Sequence, residues 1–152
     1  MPHAQLLPLQ ETQAIWLAQQ LVTMTPWQDL AYQAPTLQRY LLSSQSDFES
    51  LCLWVDKQPA GVICLRSPWL RGTLLELLAI LPDFQQQGWG RWLMQWLRES
   101  AKSRQQHNLW TLTSAFNTPA IQFYTAQGFT PIGQLDDFIV EGQHELLLRQ
   151  RL

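Results

Sequence analysis

The chain has 152 residues, 46% of them apolar and 14% charged, with a net charge of −2. That length suits a single domain over residues 1–152 with a genuine core, and the composition excludes a disordered chain. The slight acidity leaves no basic footprint for nucleic acid and is compatible with a cationic amine substrate.

No stretch approaches the roughly 20 apolar residues of a membrane helix, and Met1-Pro2-His3-Ala4-Gln5 carries no secretory leader pattern. A cytoplasmic protein with no membrane contact is the expectation. Cys52 and Cys64 read as buried free thiols, since such a chain needs no bridge. His3, His107 and His144 are isolated and no Cys/His ligand spacing exists, so no metal is expected. No Gly-x-Ser-x-Gly elbow supports a hydrolase. The eight tryptophans read mainly as packing mass.

In chain order, residues 3–9 suit a short strand, and Pro8 fits an edge position. From Gln10 the pattern turns helical, with Ile15, Leu17, Ala18, Leu21 and Val22 as the apolar stripe. Pro26 closes this helix, and Met24-Thr25-Pro26-Trp27 is an apolar turn. A second helix over 35–43 points Leu37, Tyr40, Leu41 and Leu42 inward. After a polar break, Phe48–Asp56 and Gly61–Arg66 form a hairpin whose turn is Lys57-Gln58-Pro59-Ala60. Ser67 to Gly72 is a longer connection.

Residues 73–81 are a nearly unbroken apolar run, the pattern of a strand buried on both faces. Pro82 stops it. Gln85-Gln86-Gln87-Gly88-Trp89-Gly90-Arg91 follows, and then Trp92, Leu93, Trp96 and Leu97 mark a helix over 88–106. Strand, glycine turn and helix in that order aim unpaired N–H groups and a positive dipole end at one place, a site for an anion such as phosphate. A Cβ at 88 or 90 would hold a pyrophosphate off the backbone. Leu93 stands where a Rossmann fingerprint wants a third glycine, and no Gly-Lys-Ser/Thr follows, so neither dinucleotide nor P-loop readings fit.

Leu109–Ser114 suits a further strand. A helix over 118–127 follows, with Asn117 as N-cap, Pro119 in the first turn and Gly128 as a left-handed cap. Two last strands, 129–135 and 144–151, are joined through Asp136–Gly142.

Gln85-x-x-Gly88-x-Gly90 after Ile80-Leu81-Pro82 resembles the acyl-CoA-binding signature of the GNAT acetyltransferases. The second half of that signature is matched by Asn117-Thr118-Pro119-Ala120-Ile121-Gln122-Phe123-Tyr124-Thr125-Ala126-Gln127-Gly128-Phe129, roughly thirty residues downstream. The resemblance implies an α/β (α+β) GNAT fold. Its mixed sheet has about seven strands, splayed between the fourth and fifth, and about four flanking helices.

The same resemblance implies acetyl-CoA as co-substrate. Its pantetheine arm would complete the ladder at the unpaired backbone of Ala79 and Ile80 and bond to Asn117. The amides of Gln85, Gln86, Gln87, Gly88, Trp89, Gly90 and Arg91 would hold the pyrophosphate, with Arg91 adding charge. Tyr124 takes the place of the tyrosine that protonates the coenzyme sulfur; its other reading is a packed aromatic beside Phe123 and Phe129.

An alkyl ammonium, with a pKa near 10.4, needs a base. Glu76 matches the catalytic glutamate of some histone-type enzymes, and also reads as a strand residue with a structural partner. Leu112 stands where bacterial N-terminal acetyltransferases carry their base. Glu141 and His144 are reserves; Asp136, Asp137 and Glu141 would equally hold a substrate's positive charge. Trp27 and Tyr32 either line the acceptor pocket or pack on the core. The resemblance thus implies acetyl transfer to the primary amine of a small molecule, with a protein N-terminus or a non-catalytic acyl-CoA-binding module as alternatives. The oligomeric state stays open, a homodimer included.

Overall fold

The computed structural model describes residues 2–152. Its elements run β1 (Ala4–Pro8), α1 (Glu11–Leu21), α2 (Ala34–Leu41), β2 (Phe48–Val55), β3 (Gln58–Trp69), β4 (Gly72–Ile80), a 3-10 turn (Pro82–Phe84), α3 (Trp89–Ser103), β5 (Asn108–Ser114), α4 (Thr118–Ala126), β6 (Thr130–Leu135) and β7 (Glu145–Arg151). The strands form a seven-stranded sheet in the order β1-β2-β3-β4-β5-β7-β6. This is the mixed α/β architecture expected of the GNAT fold. No helix among the described residues is long and apolar enough to cross a membrane.

The chain gathers into two compact units, one from the chain up to Arg66 with Glu76–Gly90, the other from Ser67–Leu75 with Arg91–Leu152. In the first, Ala14, Leu17, Ala18 and Leu21 of α1 pack with Leu37 and Leu41 of α2 and with Cys52, Val62, Cys64, Leu77, Ala79 and Leu81. Positions 14, 17, 18 and 21 follow the i, i+3, i+4, i+7 rule of one helical face. Ile15, expected inward, lies about 100° off that face and is exposed, as is Leu42 beyond the end of α2. Both cysteines are free and buried. Burial pushes the Cys52 thiol up to about 12, so it is an inert packing group.

The hairpin differs from expectation at both ends. Asp56 and Lys57, at φ 48° and 67°, form the tight turn, and β3 starts at Gln58. Two successive positive φ values match the right-handed twist of paired strands. Pro59 therefore sits inside the strand opposite Trp54, beside a register shift at Leu53/Trp54 that accommodates its missing N–H. Beyond Arg66, β3 continues to Trp69, and Leu70 and Arg71 (φ 41° and 60°) turn directly into β4. No longer connection exists there.

In the second unit, β5 pairs with β4 in parallel over Gly72–Leu75 and Asn108–Thr111. It pairs with β7 antiparallel along its whole length, from Asn108↔Arg151 to Ser114↔Glu145. The later part of β4 lies outside the register with β5, and its burial changes character. Residues 72–75 are buried throughout, whereas Glu76, Leu78 and Ile80 alternate as a half-buried face against buried Leu77 and Ala79. Strand β6 lies at the sheet edge, where Pro131 costs no inner ladder bond.

Candidate active site

Strand β4 ends at Ile80 and the chain turns through Gln85–Gly88, all exposed, into α3. Gly88 has φ +89°, and a Cβ there would meet nothing within 4 Å, so the backbone angle and not packing calls for glycine. Gln86 also has positive φ, at 60°. The glutamines brace the turn. Gln85 Nε2 donates to Ile80 O at 2.8 Å, and Gln87 Nε2 donates to Asp83 O at 3.1 Å. The Gln85 side chain thereby takes one of the acceptors expected to stay open at the end of β4. Trp89 is buried and its Nε1–H donates to Gln87 Oε1 at 3.4 Å, while the Arg91 side chain is exposed. The first-turn N–H groups of α3 lack intrahelical acceptors and carry the positive end of the helix dipole. That arrangement fits the diphosphate of a nucleotide-tailed carrier.

Glu76 is not a free carboxylate. Arg66 Nε donates to its Oε2 at 2.7 Å and Nη2 to its Oε1 at 3.3 Å. The same guanidinium donates to Asp47 Oδ1 at 2.9 Å and Gln45 Oε1 at 3.0 Å, and lies 5.3 Å from the Phe48 ring centroid. The hydroxyl of Tyr40 is buried beside Glu76 and Cys64, yet makes no hydrogen bond to either with good geometry. Burial, then the neighbouring Cys64 and Glu76, push its ionisation far above the ordinary tyrosine range. Trp27 and Tyr32 are half-buried against the core of this unit, joined by Tyr32 N–H donating to Trp27 O at 3.0 Å.

The other unit carries the second half of the signature. Asn117 caps α4 as expected, its Oδ1 accepting from Ala120 N–H at 3.3 Å. Gly128, with φ +101°, terminates that helix. Tyr124 is 7% exposed, held edge-on by Phe123 (5.3 Å) and Phe129 (5.6 Å). Burial pushes its hydroxyl up to about 12, with the Thr111 hydroxyl working the other way. Tyr124 therefore keeps its proton throughout the neutral range. Leu112 is half-buried on β5.

In the loop before β7, Glu141 is exposed. Asp137 N–H donates to His144 Nδ1 at 3.2 Å, and Asp136 Oδ1 is 3.5 Å from the same nitrogen. Accepting that bond puts the proton of a neutral His144 on Nε2. Sequence reasoning missed Glu145. It is 5% exposed and accepts a 2.6 Å bond from Ser114 Oγ–H. The signal was there, a lone acid opening the apolar run Leu146-Leu147-Leu148, but its partner became visible only with the β5–β7 register. No group of three or more His, Cys, Asp or Glu among the described residues is placed to hold a metal ion.

The profile of the Acetyltransferase (GNAT) family matches residues 11–129, most of the chain. The chain belongs to the GNAT family. As a GNAT protein it resembles the [ribosomal protein bS18]-alanine N-acetyltransferase of Salmonella typhimurium, at 29% identity over 76% of this chain and 72% of that one. Its fold is shared by a GNAT acetyltransferase from Elizabethkingia anophelis with acetyl-CoA bound (TM-score 0.74, 20% identity, 98% of each chain). A spermidine N-acetyltransferase chimera with a Vibrio cholerae parent is similar as well (TM-score 0.75, 18% identity, 97% of this chain and 95% of that one). The protein is an acyltransferase of this family, whose members use acetyl-CoA as co-substrate.

Proposed function

We propose that this GNAT protein transfers the acetyl group of acetyl-CoA to the primary amine of a small molecule, by direct attack within a ternary complex. The observation that carries the reading is Tyr124, buried, clamped between two aromatic rings and still protonated at neutral pH. Its proton is available to the departing thiolate, as a general acid. In this reading the N–H groups from Gln85 to Arg91 hold the pyrophosphate, and Arg91 adds charge. Ala79, Ile80 and Asn117 take the pantetheine arm.

Glu76, bonded through both oxygens to Arg66, keeps lone pairs for an ammonium or a water and serves as an anchor for the acceptor. Trp27 and Tyr32 give the acceptor an aromatic wall, and exposed Glu141 attracts its charge. The likeness to a ribosomal-protein-alanine acetyltransferase favours a second reading, in which the amine is a peptide N-terminus.

A panel of diverse amines and short peptides, with acetyl-CoA and a free-thiol readout, tests both. Faster thiol release with free amines supports the small-molecule reading, and faster release with peptides supports the second. Tight coenzyme binding with no transfer to either would mark a non-catalytic binding module and overturn both.

A further inference from the structure

Glu145 opens β7 directly opposite Ser114, the last residue of β5. The two side chains, 5% and 1% exposed, meet through the 2.6 Å Ser114 hydroxyl bond. Opposed residues share a face of the sheet, so Glu145 and Ser114 face the same way as Leu112 and Leu147, one alternation along each strand. The backbone around them is pinned. Ala115 N–H donates to His144 O at 2.8 Å, and Asn117 N–H donates to Ser114 O at 2.9 Å. The carboxyl therefore sits at the turn leading to Asn117 and to the helix that carries Tyr124.

A hydroxyl is a weak partner for a buried carboxylate, and no Lys or Arg pairs with Glu145 among the described residues. Such a group is at ease when a proton or a cation reaches it, and an ammonium brings both. Glu76, by contrast, already has its counter-ion in Arg66.

We propose that Glu145, oriented by Ser114, is the base that takes the proton of the acceptor ammonium; this rests on the acetyl-transfer reading above. An N–H bond of the ammonium breaks and its proton passes to the Glu145 carboxylate. The freed nitrogen pair forms the C–N bond at the thioester carbonyl as the C–S bond breaks, and the leaving sulfur takes the Tyr124 proton. Once the C–N bond has formed, the nitrogen gives its second proton to the Tyr124 phenolate, and after product release Glu145 loses the first to water. Burial moves Glu145 upward from the ordinary carboxylate range while the Ser114 bond opposes it, the direction that suits a base working near neutrality. His144 precedes it, with the Asp136 carboxylate and the Asp137 N–H on that imidazole; β6 places apolar Leu135 opposite it and β5 places Ser114 opposite it.

The test compares Glu145→Gln, which can still accept from Ser114, with Ser114→Ala, His144→Gln and Tyr124→Phe. Thiol release from acetyl-CoA is followed from about pH 5 to about pH 9 with spermidine and an alanine-leading hexapeptide as acceptors. Glu145→Gln is expected to lower kcat by about 10²-fold or more, leave the KM for acetyl-CoA unchanged, and abolish the acidic limb of kcat/KM. Ser114→Ala should keep that limb and move it to higher pH, and His144→Gln should leave it in place. A Glu145→Gln protein with native circular dichroism and the wild-type acidic limb overturns the proposal. If Tyr124→Phe slows transfer while Glu145→Gln does not, the base assignment fails and the acetyl-transfer reading stands. If the wild type acetylates neither acceptor, the reading and the inference fall together.

Discussion

Arg66 and Glu76, on neighbouring strands β3 and β4, meet in a two-pronged ion pair of 2.7 and 3.3 Å that Asp47 extends at 2.9 Å. A guanidinium fork of this kind matches a carboxylate plane and fixes its orientation. Both side chains are only about a fifth exposed, so the pair is sheltered from solvent screening. Arg66→Met should therefore leave Glu76 without its counter-ion and cost about 2 kcal/mol in urea unfolding. Arg66→Lys, which loses the fork, should recover only part of that. Wild-type stability in Arg66→Met would show that the pair contributes nothing.

Asn117 combines a helix cap with a proposed contact to the pantetheine arm, and two substitutions separate the roles. Asn117→Ala should destabilise the fold by about 1 kcal/mol. Asn117→Ser should restore the cap and most of the stability. If the contact to the arm matters, calorimetry with coenzyme A will find both variants weakened. Serine binding as tightly as asparagine would confine the residue to capping.

Gly88→Val places a β-branched side chain at φ +89°, a strain of about 1–2 kcal/mol that the fold should survive, since its Cβ meets no neighbour. The same side chain would stand over the α3 N-terminal turn and is expected to eliminate coenzyme A binding. Native circular dichroism with undiminished binding would move the diphosphate elsewhere.

Tyr124→Phe removes the proton while keeping the ring packing. Turnover should fall by about 10²-fold with acetyl-CoA affinity nearly unchanged. The folded-state value, up to about 12 against an ordinary 10, also has a stability consequence. Between those pH values the folded protein holds a proton that the unfolded chain has lost. Stability from this group is therefore full below pH 10 and disappears as pH rises through about 12. In urea titrations at high pH, Tyr124→Phe should flatten that decline.

Glu145 obeys the same sign at the acid end. Burial raises its folded-state value, so its contribution is complete below the unfolded carboxylate range and is lost as pH rises through the folded value. Glu145→Gln, neutral at all pH, should gain in melting temperature relative to wild type between pH 4 and pH 8. A constant difference across that range would mean that Glu145 is no harder to ionise in the fold than in the unfolded chain.

The order of elements, the caps at Asn117 and Gly128, the stop at Pro82 and the paired coenzyme signature were legible in the sequence, because each depends on a few neighbouring residues. The turns at Asp56-Lys57 and Leu70-Arg71 were not, since neither contains the glycine or asparagine that usually marks a left-handed backbone. The partners of the titratable groups were equally hidden. Arg66 reaches Glu76 across adjacent strands, and Ser114 meets Glu145 across a register that joins residues 31 apart. Local backbone preference is written along the chain, and it decided where helices and strands lie. Whether a given carboxyl finds a guanidinium or only a hydroxyl depends on strand alignment and burial. Those belong to the folded chain as a whole, and tertiary structure alone settled them.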